Sequence, residues 1–120
     1  MSRNKQLVEN YMASMGRVDR AEVLSCLTDD VEWRIVTQGE RVRGKAEFEQ
    51  NIGTPPGVEN VRIDITRMTE ENSVVVAEGF VRMAKKDGGS TTFQFCDVFE
   101  LEDGKVRRLT TFSAETKGPA

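Results

Sequence analysis

The chain has 120 residues, a formal net charge of −3 and 31% charged residues of mixed sign. This length suits a single domain with a substantial core, and the charge provides no basic surface for nucleic acid or for an anionic membrane. No stretch approaches the roughly 20 apolar residues of a membrane span, and the first residues do not form a signal peptide. We therefore expect a cytoplasmic protein without nucleic-acid or membrane partners.

The residue types restrict the possible chemistry. The sequence has no histidine and only two cysteines, Cys26 and Cys96. This excludes the Ser-His-Asp and Cys-His nucleophile arrangements and most zinc sites. The cysteines lack metal-ligand spacing and are expected to be reduced thiols. A site made of carboxylates alone stays open, although the acidic residues are scattered. We predict no metal and no cofactor.

The first half of the chain predicts three helices and one strand. Residues 8–15 carry apolar side chains at helical spacing, and a glycine then ends the helix. Asp19 begins a second helix, with Glu22 in a capping-box-like position. A strand over 31–35 alternates apolar and charged residues. A polar stretch then leads to a short helix over 45–52.

The second half changes to a period of two, which predicts strands. They span residues 61–65, 74–83, 91–101 and 106–112. Asp-Gly turns join the later strands into hairpins. Residues 114–120 are expected to form a frayed tail, which leaves one domain over residues 1–113. Helices followed by an antiparallel meander predict an α+β domain with the helices on one face of the sheet.

Asp97 interrupts the pattern of its strand. Its inward face carries apolar residues such as Phe95 and Phe99, and Asp97 lies between them. Burying an unpaired carboxylate is unfavourable. Three explanations are open: a carboxyl with a raised pKa that faces a ligand or Tyr11, a structural acid paired with an arginine or with a hydroxyl such as Thr111, or a shifted register that turns Asp97 outward.

The order of elements, with Tyr11 and Asp97 placed as they are, resembles the SnoaL-like and ketosteroid-isomerase-like branch of the NTF2-like superfamily. The resemblance rests on the segments Leu27–Trp33, Gly44–Phe48, Asp97–Phe99 and Asp103–Val106. It implies an NTF2-like (cystatin-like) cone, in which a curved antiparallel sheet and about three N-terminal helices enclose an apolar pocket. This fold hosts isomerases, cyclases, hydrolases and plain binding modules.

Within such a cone, strand alternation assigns the lining of the pocket. The lining is mostly apolar, which suits a small hydrophobic ligand, and Ala77 and Gly79 are expected to leave space in the wall. The predicted ligand-binding residues are Met15, Trp33, Ile35, Phe48, Ala77, Gly79, Phe95, Phe99, Leu109 and Thr111, with Val75, Val81 and Ser113 on the same face.

The resemblance also implies catalytic roles. Tyr11 and Asp97 match the tyrosine and the neutral aspartic acid that donate to the developing oxyanion in ketosteroid isomerase. The position of the general base is Ile35, which cannot take a proton, and this argues against steroid isomerisation. In the SnoaL-like alternative, one pocket aspartate serves as general acid and base in an intramolecular aldol closure. The histidine that accompanies it in that cyclase has no counterpart in this sequence.

Two classes of function remain. The first is a cofactor-independent isomerase- or cyclase-like enzyme acting on a small hydrophobic carbonyl compound, with Asp97 as acid/base or oxyanion donor and Tyr11 assisting. The alternative is a non-catalytic binding or dimerisation module for a small lipophile. An epoxide-hydrolase-like enzyme would need a second acid and an arginine in the pocket, and alternation supplies neither. Four charged residues are interpreted as a solvated face: Glu32, Arg34, Arg41 and Arg43.

The other face of the sheet carries apolar residues that no remaining element can cover. They are Val74, Val76, Phe80, Val98 and Phe112. An exposed apolar patch marks an interface, so we expect a homodimer through this outer face, as the resemblance also implies.

Overall fold

The computed structural model describes residues 2–117, which form a six-stranded sheet and three α-helices. The helices are α1 (Arg3–Gly16), α2 (Arg20–Ser25) and α3 (Gly44–Glu49), with a 3-10 turn at Val36–Gln38. The strands are β1 (Leu27–Ile35), β2 (Glu40–Arg43), β3 (Val58–Glu71), β4 (Val74–Lys85), β5 (Ser90–Glu102) and β6 (Lys105–Thr116).

The helix boundaries follow from local capping. The Ser2 side chain accepts a hydrogen bond from the Lys5 amide and caps α1. The Asp19 carboxylate accepts from the Glu22 amide at 3.2 Å and caps α2, so the predicted start of the second helix is confirmed. The third helix ends at Glu49, before the predicted end at residue 52.

The strands are ordered β2-β1-β6-β5-β4-β3. Neighbouring strands among residues 2–117 are antiparallel except β1 and β6, which run parallel. The sheet is therefore mixed, where the sequence predicts an antiparallel meander. The strand β2 lies in the stretch that the sequence predicts as a polar loop. The sequence does not predict this strand, because only Val42 of its four residues is buried and four residues are too few to show alternation.

The last strand continues beyond the predicted end of the domain. Thr116 pairs with Thr92 and Ala114 pairs with Gln94, so residues 114–116 belong to β6. A frayed tail was expected from residue 114. Its last part, residues 118–120, lies outside the residues that the structure describes.

The core lies between the helices and the concave face of the sheet. The first helix packs against β3 and β4, and α3 packs against β1. Each large apolar side chain that becomes fully buried stabilises the fold by about 1.5–3 kcal/mol. The largest fully buried side chains include Tyr11, Phe48, Phe99, Leu27 and Leu109.

Gly79 permits a close approach between strands. A Cβ at this position would lie 2.0 Å from the carbonyl oxygen of Asp64 and 2.9 Å from the Phe95 ring. The β3–β4 register is irregular nearby, between Ile65 and Arg67. The prediction that Gly79 leaves space in the pocket wall is therefore wrong, because the β3 backbone and the Phe95 ring fill that volume.

Within residues 2–117, no helix combines the length and the hydrophobicity that crossing a bilayer requires.

Candidate functional site

Strand register places Asp97 at the centre of the concave face. Asp97 on β5 lies opposite Thr111 on β6 and Ala77 on β4, and Thr111 lies opposite Ile35 on β1. These four residues form one row across four strands, which we call the Asp97 row. Asp97 is 7% exposed. The explanation by a shifted register is excluded, because Asp97 points into the core.

The surroundings of the Asp97 carboxyl are apolar. The residues two positions away on β5, Phe95 and Phe99, are buried on the same face. The ion pairs found among residues 2–117 all use other acids. Among the buried side-chain nitrogen and oxygen atoms of the same range, Asp97 Oδ1 alone has no hydrogen-bond partner. The explanation by an arginine partner is therefore excluded.

A hydrogen-bonded chain reaches Asp97 from β1. The Trp33 indole Nε1 donates to Thr111 Oγ1 at 2.9 Å. A hydroxyl has one proton to donate, and hydrogen bonding from Thr111 lowers the pKa of the Asp97 carboxyl. The predicted hydroxyl partner is thus present, but it leaves Oδ1 unsatisfied.

The environment places the ionisation of Asp97 near neutrality. Burial raises the pKa of the carboxyl to about 7, and the hydrogen bond from Thr111 opposes this rise. Desolvation disfavours the charged form, whereas a donor stabilises it. At neutral pH both protonation states are populated, so this group is able to accept or to release a proton.

Tyr11 lies in the same core. Its ring packs edge-on against Phe99 and Phe48, with centroids 5.5 and 6.3 Å apart. Burial raises the pKa of the Tyr11 hydroxyl well above its usual value, and the charge of Asp97 raises it further. Tyr11 is therefore a neutral phenol near Asp97. Within residues 2–117 no hydrogen bond joins its hydroxyl to the Asp97 carboxyl.

The other predicted lining residues fall into two groups. Phe48, Ala77, Phe99 and Leu109 are at most 1% exposed and form close-packed core, and Gly79, Ile35 and Phe95 are also buried. Met15, Trp33 and Thr111 are partly exposed, as are Val81 and Ser113. The second group forms the accessible margin of this core.

Sequence reasoning missed the contribution of β3 to this margin. Ile63, Ile65 and Met68 are partly buried and pack against the core. Met68 lies opposite Ala77 and so extends the Asp97 row to a fifth strand. The alternation of residues 61–65 predicts a strand, but the pairing of that strand with β4 is a long-range property that alternation does not contain.

Two hollows on the surface of residues 2–117 bear on the site. One, of about 380 Å³, adjoins β2, β1 and β6, and the other, of about 520 Å³, lies between the start of α1 and β3. Neither is lined by Asp97 or Tyr11. The apolar pocket predicted around these two residues therefore stays a prediction.

Residues 2–117 do not bring three or more acidic or cysteine side chains together in a way that could hold a metal ion.

The architecture is that of the NTF2-like class. An NTF2-like protein of unknown function from Burkholderia pseudomallei is 25% identical, with a TM-score of 0.84 over 95% of this chain and 92% of that chain. TerC, co-crystallised with polyporic acid, is 22% identical, with a TM-score of 0.84 over 94% and 92%. An LEH-like epoxide hydrolase from M. tuberculosis is 20% identical, with a TM-score of 0.81 over 93% and 83%.

The model of the SnoaL-like domain matches residues 8–109, and the chain belongs to this family. No curated protein matches the sequence. The predicted superfamily and branch are confirmed. Because one fold of this kind supports several chemistries, the function has to be inferred from the Asp97 row itself.

Proposed function

We propose that this protein is a cofactor-independent enzyme that moves a proton on a small hydrophobic carbonyl compound, in the manner of an isomerase or a cyclase. The observation that carries the proposal is Asp97, a buried carboxyl whose Oδ1 has no partner and whose pKa is raised to about 7. An unsatisfied buried oxygen is unfavourable unless a ligand completes it. A group that titrates near neutrality in such a place is typical of acid–base catalysts.

Asp97 has two possible chemical roles. In its ionised form, Oδ1 would remove a proton from the carbon next to the substrate carbonyl, which leaves an enolate. In its protonated form, it would donate to the oxygen on which that negative charge develops. Ile35, at the end of the same row, cannot transfer a proton. A single carboxyl would therefore take the proton and return it, as in the SnoaL-like aldol closure.

Tyr11 and Thr111 would support this carboxyl. Burial keeps the Tyr11 phenol protonated, so it is available as a second donor to an enolate oxygen. Thr111 orients the carboxyl by donating to it, and Trp33 holds Thr111.

The substrate class follows from the surroundings of Asp97. The accessible margin carries the apolar side chains of Met15, Trp33 and Val81, and the polar groups near it are the hydroxyls of Thr111 and Ser113. Such a lining favours a small hydrophobic molecule with one or two polar oxygens. Polyporic acid belongs in a test panel, because TerC was co-crystallised with it.

The alternative is a non-catalytic module that binds a small lipophile. The observation that favours it is Ile35, which replaces the base that the isomerases of this fold use. In this alternative, Oδ1 of Asp97 would hydrogen-bond a ligand hydroxyl without any proton leaving carbon. Catalysis remains our proposal, because simple hydrogen bonding does not require a carboxyl that titrates near neutrality.

The test is a panel of cyclic ketones, polyketide-like enols and polyporic acid, with wild type, Asp97→Asn and Glu102→Gln. Glu102 lies on the same strand, is exposed and forms an ion pair with Arg107, so its variant controls for loss of a negative charge. Binding is scored by thermal shift, and proton exchange at carbon by NMR in deuterated water. We expect exchange in wild type and Glu102→Gln, and a loss of at least about 100-fold in Asp97→Asn. Equal binding without exchange in all three proteins would favour the binding module.

We also propose that the convex face of the sheet is a homodimer contact. Phe112 on β6 is 44% exposed, and the partly exposed Val98 on β5 and Val76 on β4 lie on the same face of the sheet. The face carries opposite charges at its two ends, with Arg43 on β2 and Glu71 on β3. A two-fold axis parallel to the strands would bring Arg43 of one protomer towards Glu71 of its partner, with the apolar residues buried between them.

A further inference from the structure

A charged hollow lies on the face of the sheet opposite Asp97. It has a volume of about 380 Å³ and adjoins β2, β1 and β6. Its lining includes two glutamates, Glu32 and Glu100, and four arginines, which are Arg34, Arg41, Arg43 and Arg108. The charge of this region is thus positive, although the whole chain carries −3.

One row of residues across the hollow is balanced. Arg43, Glu32, Arg108 and Glu100 lie opposite one another on successive strands, so their charges alternate. Arg108 forms ion pairs with both glutamates, with nitrogen–oxygen distances of 3.7 Å to Glu32 and 3.8 Å to Glu100. The net charge of this row is therefore zero, although within residues 2–117 Arg43 takes part in no ion pair.

The next row is not balanced. Arg41 on β2 lies directly opposite Arg34 on β1, and Arg34 lies opposite Thr110 on β6. Like charges directly opposed on neighbouring strands destabilise a sheet. Neither arginine takes part in an ion pair among residues 2–117. Arg34 and Arg41 therefore share one hollow, and within residues 2–117 the two glutamates of its lining pair with Arg108 and not with them.

We propose that Arg34 and Arg41, with the hydroxyl of Thr110, bind a small oxyanion, a carboxylate or a phosphate group. Guanidinium groups bind such anions through two parallel N–H donors each, and a hydroxyl supplies a further donor. A bound anion would convert the repulsion between the two arginines into a shared attraction. Glu32 and Glu100 border the site and would repel a long polyanion such as a nucleic acid.

The proposal goes beyond acid–base chemistry at Asp97 and does not depend on it. Arg34, Arg41 and Thr110 alternate with the residues of the Asp97 row, so they lie on the other face of the same strands. Thr110 is followed in its row by Val98 on β5. Where no second copy covers the convex face, an organic oxyanion would place its apolar part against Val98, whereas inorganic phosphate would not reach it.

The experiment follows the arginine Nε–H signals by NMR during titration with inorganic phosphate, acetate or hexanoate at low ionic strength. The proteins are wild type, Arg34→Gln, Arg41→Gln and Arg62→Gln. Arg62 is an exposed arginine on β3 that pairs with Asp64, so its variant is the matched control. We expect saturable binding in wild type and Arg62→Gln, weakened at least about tenfold in the other two variants. Tighter binding of hexanoate than of acetate identifies an organic carboxylate, and tightest binding of phosphate identifies a phosphate group.

Thermal unfolding provides a second readout. Without added anion, Arg41→Gln should be at least as stable as wild type, because a like-charge contact is removed. The preferred anion should raise the Tm of wild type and of Arg62→Gln but not that of Arg41→Gln. Equal responses in all four proteins would overturn the proposal, since they indicate a general salt effect. Dissociation of a dimer in Arg34→Gln and Arg41→Gln, without any change in the anion response, would also overturn it and would assign these arginines to contact with a second copy.

Discussion

The indole Nε1 of Trp33 donates to the hydroxyl oxygen of Thr111 at 2.9 Å, although the two residues are 78 positions apart in the chain. The contact exists because β1 and β6 are parallel neighbours in the sheet. Since Trp33 occupies an acceptor site of that hydroxyl, the proton of Thr111 is directed to Asp97. Trp33 is thus linked to the Asp97 carboxyl through Thr111.

Replacing Asp97 with asparagine should change how stability depends on pH. Burial raises the pKa of Asp97 from 3.8 to about 7, so between these values the folded protein binds a proton that the unfolded chain releases. Wild-type stability should therefore fall as the pH rises through this window and stay level above it. Asp97→Asn has no titrating group at this position, so its free energy of unfolding should not fall in this way. The difference between the free energies of unfolding of Asp97→Asn and wild type should therefore shift in favour of the variant by about 4 kcal/mol between about pH 4 and pH 8.

Urea unfolding at a series of pH values measures this difference, and Glu102→Gln serves as the control. Glu102 is exposed, so its variant should follow the wild-type curve. A constant difference between Asp97→Asn and wild type across the window would show that Asp97 is ionised in the folded protein throughout.

The pH profile of turnover should distinguish the two roles of Asp97. If the carboxylate is the general base, kcat/KM rises with pH through about 7, because the ionised form is required. If the neutral acid is an oxyanion donor, kcat/KM falls through the same value. A profile that is flat across this range would exclude Asp97 from both roles.

Much of this site is visible in the sequence because it depends on local alternation. The position of Asp97 between Phe95 and Phe99 follows from a period of two, and the helix with Tyr11 follows from helical spacing. The close packing at Gly79 and the contact between Trp33 and Thr111 depend on which strands are neighbours and on a register irregularity. A pattern of polar and apolar residues contains neither property.

The opposed arginines Arg34 and Arg41 are a second feature that depends on strand pairing and that the sequence does not predict. Arg34 and Arg41 alternate with apolar residues, as exposed charges do, and the sequence is consistent with a solvated face. Their direct opposition appears only when β2 is known to pair with β1, and β2 is the strand that sequence reasoning missed.

Gly79→Ala should destabilise the protein strongly. The added methyl would lie 2.0 Å from a backbone oxygen of β3, so strand β3 or β4 would have to move. We expect a loss of at least about 2 kcal/mol in the free energy of unfolding, measured by urea denaturation. Gly16→Ala is the matched control, because its nearest atom is Ile63 Cδ1 at 3.8 Å, an ordinary contact. Equal stability of Gly79→Ala and Gly16→Ala would contradict the close approach of β3.

Phe112→Asp should dissociate the proposed homodimer. The change places a charge in the apolar part of the convex face, where burial against a second copy would be unfavourable. Light scattering coupled to size-exclusion chromatography should show a dimer for wild type and a monomer for the variant. Val18→Asp is the control, because Val18 is the other exposed large apolar residue of the described range and lies outside the sheet. A wild-type monomer, or an unchanged mass for Phe112→Asp, would contradict the proposal.

The pKa of Asp97 decides whether this buried carboxyl is able to exchange a proton near neutral pH. It can be measured by NMR titration of a sample labelled with ¹³C at the aspartate carboxyls, in wild type and in Thr111→Val. We expect a value of about 7 in wild type. We expect a higher value in Thr111→Val, because that variant removes the donor that stabilises the carboxylate. A wild-type value near 3.8, unchanged by Thr111→Val, would show that the carboxyl is an ordinary solvated acid, and Asp97 would then not be the proposed proton-transfer group.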